Sequence, residues 1–306
     1  MNALVGYTGF VGSNLYATGA FDRGYNSSDI QEAYHTAPDL LVYAGLPAEK
    51  YLANHMPEKD MERILLAEKN IQLIEAKRVV LISTVDVFCD PCGADENTMV
   101  DTKNLQTYGY HRYLLEQWVI SHCENAMIVR LPALFGKNIK KNFLYDYINV
   151  VPSMLNEKKY TELLGKEPAL KKYYCMVENG FFRLEAAESE KEALKEVFRK
   201  LGFTALHFTD SRSRYQFYNL EHLWGDICQA MSKDIALLHL ATEPVTVGEL
   251  YYFLSGEEFV NELDGRPADY DYRTIYDTLF GGEHGYLYNK TTIMNEIGSF
   301  VATCKK

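Results

Sequence analysis

The chain has 306 residues, 47% of them hydrophobic and 24% charged, and a formal net charge of −11. That length and apolar content predict a folded protein with a sizeable core and exclude a disordered one. The acidic balance argues against nucleic-acid and anionic-membrane partners, which call for a basic surface, but leaves room for a small anionic ligand in a local positive pocket.

Residues Ala3 to Val5 form a short apolar run, and Gly6-Tyr7-Thr8-Gly9-Phe10-Val11-Gly12 then leads into Ser13-Asn14-Leu15-Tyr16. This pattern predicts strand, tight turn and helix. A second short strand is expected near Gly24 to Asn26. Pro38-Asp39 introduces the buried-type run Leu40-Leu41-Val42-Tyr43-Ala44-Gly45, and a charged, leucine-punctuated helix follows from about Pro57 to Ala76. Arg78 to Thr84 reads as another buried strand, Tyr108 to His122 as a helix and Ala126 to Arg130 as a strand. Leu220 to Met231 and Ile235 to Ala241 predict a helix and a strand that return to the same sheet. Strands that are apolar throughout are covered on both faces, which is the parallel case. The expected fold is therefore α/β, a Rossmann-type doubly wound parallel sheet with a smaller mixed substrate lobe. The nucleotide-binding domain is expected over 1–142 and 212–245. The lobe is expected over 143–211 and 246–306, which are rich in Lys, Glu and Tyr and include a charged helix at Glu188 to Leu201.

The six cysteines, Cys89, Cys92, Cys123, Cys175, Cys228 and Cys304, are scattered and read as reduced thiols. Cys89-Asp90-Pro91-Cys92 has the spacing of a redox or half-zinc motif, but no second close pair completes a four-ligand site, so no metal is expected. No basic stretch followed by a long apolar run opens the chain, and no run of about 18 apolar residues occurs. A cytoplasmic location without membrane contact is the expectation.

Gly6, Gly9 and Gly12 recur every third residue between a strand and a helix. The first allows a sharp turn, the second a close approach of backbone to a pyrophosphate, and the third tight packing of helix on sheet. Free N–H groups and the positive end of the helix dipole then face phosphate oxygens. The alternative is a loop that needs glycine for structural reasons alone. Cofactor contacts are expected from Gly6, Thr8, Gly9, Phe10, Val11 and Gly12, from Asn26 and Ser27 after the second strand, and from Ala44 and Gly45 after the third. The cofactor is NAD or NADP. The neutral Asn26, Ser27 and Ser28 stand where NAD enzymes usually carry a carboxylate, and this favours NADP. Asp29 either meets the adenine edge or caps a helix.

These motifs, with Ser83-Thr84-Val85-Asp86-Val87-Phe88, Tyr108-Gly109-Tyr110-His111-Arg112 and Arg130-Leu131-Pro132-Ala133-Leu134-Phe135-Gly136, occur in order. Tyr215 to Leu220 and Leu238 to Thr246 extend the series. The set resembles the NAD(P)-dependent epimerase/dehydratase family of extended short-chain dehydrogenase/reductases. The match spans roughly 1–136 and 212–255. The resemblance implies a tyrosine proton shuttle at Tyr108, a hydroxyl anchor at Thr84 and a cation at position 112. A tyrosine can pass a proton if a nearby cation favours its phenolate, and positions four apart share a helix face. Without the loop and Thr84 the pair would read as an ordinary tyrosine beside an arginine. The chain departs from the family in carrying Arg112 for lysine, His111 for a small serine and Ala133 for asparagine. Arginine keeps the charge but is planar and larger.

Dehydratases of the family carry an acid directly after the threonine, whereas Thr84 is followed by Val85. The pattern looks more like the dTDP-4-dehydrorhamnose reductase group. The expected activity is that of an NAD(P)-dependent oxidoreductase on a nucleotide-linked 4-keto sugar, with Asp86, Arg212 and Arg214 as candidate substrate contacts. The alternatives are a sugar-nucleotide epimerase and a catalytically impaired NAD(P)-binding sensor or scaffold. The resemblance also implies a homodimer formed through the helices around Pro57 and Tyr108.

Overall fold

The computed structural model describes residues 1–177 and 180–305. Six parallel strands form the main sheet: β1 (Asn2–Val5), β2 (Arg23–Tyr25), β3 (Leu40–Tyr43), β4 (Val79–Thr84), β5 (Ala126–Leu131) and the strand Leu237–His239. The order across the sheet is Leu237–His239, β5, β4, β3, β1, β2. Side chains alternate between the two faces. Leu40 and Val42 enter one apolar cluster, with Leu4, Val80 and Val129, while Leu41 and Tyr43 enter the other, with Val5, Leu81 and Ile128. Period-two alternation between two covered faces is why the strands read as unbroken apolar runs.

Helix α1 (Phe10–Tyr16) and the helix Leu223–Met231 contribute Leu15, Leu223 and Ile227 to the first face. Two helices cover the second: α3 (Pro57–Ile74) with Ile64, Ala67 and Ile71, and α4 (Thr107–His122) with Leu115 and Val119. A short helix, α2 (Lys50–His55), precedes α3. Pro57 sits at the first turn of α3, where no N–H is needed, with Glu58 and Asp60 near the positive end of the helix dipole. Because β2 and β3 flank β1 on opposite sides, the connection reverses direction there, and in open α/β sheets ligands bind outside the carboxyl ends of the strands at such a reversal.

The chain divides into two units. The first is Met1–Ile139, Arg214–Val245 and Asp269–Gly298; the second is Lys140–Ser213, Thr246–Ala268 and Ser299–Lys306. The stretch 269–298, expected in the lobe, is thereby corrected to the sheet-bearing unit. Tyr272, Tyr286 and Leu287 are buried in its core. Gln216 bonds the Tyr272 backbone through both ends of its amide. Glu96 accepts from the backbone N–H of His239 and from Thr274 and Ile275, which ties this stretch to the last strand of the sheet. Tyrosine-rich composition suggested the lobe, but buried tyrosines pack equally well in an α/β core. The second unit has its own core, in which Tyr160, Leu163, Tyr174, Leu194 and Phe198 are buried. It carries a three-stranded antiparallel sheet and the helix Glu188–Lys200, whose charged face holds short-range ion pairs such as Lys191–Glu188. Among the described residues no helix is long and apolar enough to cross a membrane.

Candidate active site

The glycine turn is built as a cradle. Gly6 has φ +91°, and a Cβ there would lie 2.4 Å from the Ala44 carbonyl oxygen, so only glycine lets β1 turn against the end of β3. A Cβ on Gly12 would lie 2.1 Å from the Gly6 carbonyl oxygen, so α1 is drawn tight onto the turn. Gly9 differs from both. A Cβ there would meet only the Gly6 oxygen, at 3.2 Å, and Thr8 and Gly9 are exposed. The fold would need only a small shift to accept a side chain at that point, whereas a ligand passing close to the backbone would meet it directly. Phe10 and Val11 are half-buried against the core, and their N–H groups lie in the first helical turn, which has no intrahelical acceptors. A dinucleotide pyrophosphate fits such a turn.

Beyond β2, Asn26 accepts from Ser28 through its side chain, and its own N–H donates to Asp29 at 2.6 Å. Asp29 therefore closes the turn before the short 3-10 helix Ile30–Ala33. Ser27 is exposed, Ala44 half-buried and Gly45 exposed at the end of β3.

The reactive candidates gather at the ends of β4 and α4. Thr84 is the last residue of β4, and its hydroxyl accepts the Asp86 N–H at 3.2 Å. Tyr108 lies in the first turn of α4 and is 5% exposed, with its N–H donated to Asn54 of α2. Burial raises the Tyr108 phenol above its usual value; Arg112 draws it down, Asp86 raises it and Lys50 draws it down. The Arg112 guanidinium lies over the Tyr108 ring, 4.7 Å from its centre. Arg112 is itself buried and engaged by both carboxylate oxygens of Asp60, at 3.2 and 3.3 Å, and by the Pro47 carbonyl. His111 also reaches Asp60, at 2.9 Å.

Asp86 joins Tyr108 and Arg112 at this edge. One of its oxygens contacts Lys50 Nζ at 2.9 Å and accepts the Tyr270 hydroxyl at 2.9 Å. The two candidate substrate arginines are each engaged by carboxylates. Arg214 is held by Asp269 and Asp271 in the first unit, and Arg212 by Asp210 and Glu262 in the second. Among the described residues no cluster of His, Cys, Asp or Glu could hold a metal ion. Cys89 and Cys92 are exposed, and the Cys92 thiol donates to the Asp269 carbonyl.

Four residues escaped the sequence reading: Lys50, Asp60, Gly109 and Tyr270. Only Gly109 left a signal. Glycine within a helix is unfavourable, so its position one residue after Tyr108 points to a close approach. A Cβ on Gly109 would in fact lie 2.0 Å from the Asp86 carbonyl oxygen.

No protein-family model and no curated protein matches the sequence. The likeness is to solved structures. A dTDP-4-dehydrorhamnose reductase from Bacillus anthracis, in complex with NADP, aligns with a TM-score of 0.62 at 18% identity, over 99% of each chain. A UDP-glucose 4-epimerase from Thermotoga maritima, with UDP-glucose, aligns with a TM-score of 0.64 at 12% identity, over 99% of this chain and 98% of the other. A short-chain dehydrogenase/reductase superfamily protein from Agrobacterium tumefaciens, with bound NAD, aligns with a TM-score of 0.60 at 13% identity, over 100% and 97%.

The chain shares the Rossmann-type α/β fold of these structures. The glycine turn, Thr84 and Tyr108 all belong to the unit that carries the parallel sheet.

Proposed function

We propose that the protein is an NAD(P)-dependent reductase of a nucleotide-linked 4-keto sugar. The observation that carries this reading is a shared edge. The glycine turn ends β1 and Thr84 ends β4, and these strands flank β3 in one parallel sheet. Two strand spacings separate them, about 10 Å, a distance that a dinucleotide can bridge. When bound, the reduced cofactor supplies the hydride. The protein supplies the rest. The Thr84 hydroxyl orients the substrate carbonyl oxygen, and Tyr108 gives that oxygen its proton as the carbon becomes a carbinol. Val85 in place of an acid disfavours loss of water, and similar structures include dTDP-4-dehydrorhamnose reductases.

The neutral side chains of Asn26 and Ser27 after β2 support NADP, since neither would repel a 2′-phosphate. Exposed Leu65 and Leu66 on α3 and Ile120 on α4 support self-association through those helices.

The test is calorimetry with NADPH and NADH, followed by turnover of dTDP-4-dehydrorhamnose and related nucleotide 4-keto sugars. Tight NADPH binding and turnover that falls about 100-fold in Tyr108→Phe are expected. Absent dinucleotide binding, or equal turnover in the variant, overturns the reading. One observation favours a second reading, a dinucleotide-binding protein without turnover: Arg112 is locked onto Asp60. Binding without turnover of any sugar in the panel would select it.

A further inference from the structure

Helix α4 begins without a cap of its own. The residue at its N-cap is Gln106, whose side chain makes no capping bond, and no acidic residue lies in the first turn. Serine, threonine, aspartate or asparagine usually fills that position. The Tyr110 N–H bonds the Gln106 carbonyl, so the N–H groups of Thr107, Tyr108 and Gly109 have no acceptor within the helix. For Tyr108 the acceptor comes from another helix. Asn54 of α2 accepts the Tyr108 N–H through its side-chain oxygen at 3.0 Å, and its amide nitrogen donates to the Gln106 side chain at 2.9 Å. Asn54 is half-buried, beside the fully buried Ala53. The segment that carries it is tied down at its start, where the Pro47 carbonyl accepts from Arg112 and Glu49 pairs with Arg63 of α3. On the next residue of α4, Gly109 meets the Asp86 carbonyl, and the Asp86 N–H is donated to Thr84. Two successive backbone positions of α4 are thus held by two different segments.

We infer that Asn54 is a positioning residue for Tyr108: from α2 it caps α4 at the Tyr108 amide and so fixes the main chain from which the phenol projects. This rests on the reading of Tyr108 as the proton donor. Arg112 lies over the face of the ring, whereas Asn54 holds its backbone. Helix ends fray when their first N–H groups lack acceptors. The Tyr108 ring hangs from that first turn, so fraying would carry its hydroxyl away from the oxygen it protonates, and a misplacement of about 1 Å is costly to a proton transfer. An asparagine suits the task because its two ends take opposite roles, the oxygen accepting from Tyr108 and the nitrogen donating to Gln106.

The test uses the intact chain with 15N-labelled tyrosine and follows hydrogen exchange of the Tyr108 amide, assigned by its loss in Tyr108→Phe. Asn54→Ala should speed that exchange about tenfold, as loss of a cap does, and Asn54→Asp, which keeps the acceptor, should stay within about threefold of wild type. In turnover, Asn54→Ala should lower kcat about tenfold with KM within about twofold, and Asn54→Asp should keep most of the wild-type kcat. Asn156→Ala is the control. Asn156 caps the helix Glu157–Lys166 of the second unit through the Lys159 N–H, so its loss should cost comparable stability and leave kcat unchanged. Faster Tyr108 exchange with a selective fall in kcat, both rescued by aspartate, supports the assignment. Unchanged Tyr108 exchange in Asn54→Ala, unchanged kcat, or an equal fall in kcat in Asn156→Ala overturns it. If no nucleotide sugar turns over, the functional reading fails, and the exchange rates alone decide the role of Asn54.

Discussion

A Cβ on Gly109 of α4 would lie 2.0 Å from the carbonyl oxygen of Asp86 in the turn after β4, so the two backbones meet where only a hydrogen fits. Backbone cannot yield to that contact as a flexible side chain could. Gly109→Ala should push the start of α4 outward, carrying Tyr108 with it. A loss of stability of about 2 kcal/mol is expected from the overpacking, read by urea denaturation, together with at least tenfold lower turnover. Gly225→Ala is the contrast, because nothing lies within 4 Å of its Cβ position in the helix Leu223–Met231. That variant should be neutral or more stable by up to about 1 kcal/mol. Equal effects in the two would remove the steric argument.

Arg112 and Asp60 form a pair buried from both sides, and a buried pair is costly to break from one side. Arg112→Met should lower stability by about 3 kcal/mol, since Asp60 keeps only His111 as a charged or polar side-chain partner at that edge. Arg112→Met with Asp60→Asn should recover part of the loss, because it removes the stranded carboxylate. A double variant no better than the single one would show that the loss comes from packing rather than charge.

His239 lies in a second buried network. Ser83 and Arg130 both bond Glu116, Arg130 reaches His239 at 3.2 Å, and His239 contacts the Arg273 carbonyl. Burial, then the Arg130 charge, pushes His239 down to about 3. The folded state therefore binds fewer protons at this group than the unfolded state between its usual value and about 3. Its contribution to stability is fully present above pH ~6.5 and is lost progressively as pH falls toward 3. His239→Gln should be less stable at neutral pH but should show a shallower fall in stability across that window. Thermal or urea unfolding at several pH values checks the slope, and parallel pH curves for the two proteins would refute it.

Of the three glycines of the turn, Gly9 is the one whose Cβ would crowd the backbone least, at 3.2 Å against 2.4 and 2.1 Å, so its substitution best separates binding from folding. Gly9→Val should leave stability within about 1 kcal/mol of wild type while weakening dinucleotide binding at least tenfold, measured by calorimetry. Unchanged affinity would place the pyrophosphate elsewhere. Gly6→Val and Gly12→Val, by contrast, should prevent folding, because their Cβ atoms would enter backbone at 2.4 and 2.1 Å.

The sequence by itself determined the alternation of strand and helix, the covered faces of the sheet, the glycine turn and the Tyr108–Arg112 spacing. These are local signals. An unbroken apolar run such as Leu40 to Tyr43 reports burial on both faces, and glycines at every third residue report a turn, without reference to the rest of the chain. Tertiary structure alone decided what Arg112 faces, which charges border Tyr108 and where the stretch 269–298 belongs. Asp60 is one acid among several on a charged helix, and 52 residues separate it from Arg112. Tyr270 meets Asp86 across 184 residues. Polar contacts across such separations follow no period in the sequence. The Arg112–Asp60 pair is set when α3 and α4 pack together on one face of the sheet, and the Tyr270–Asp86 bond when the stretch 269–298 folds against the turn after β4.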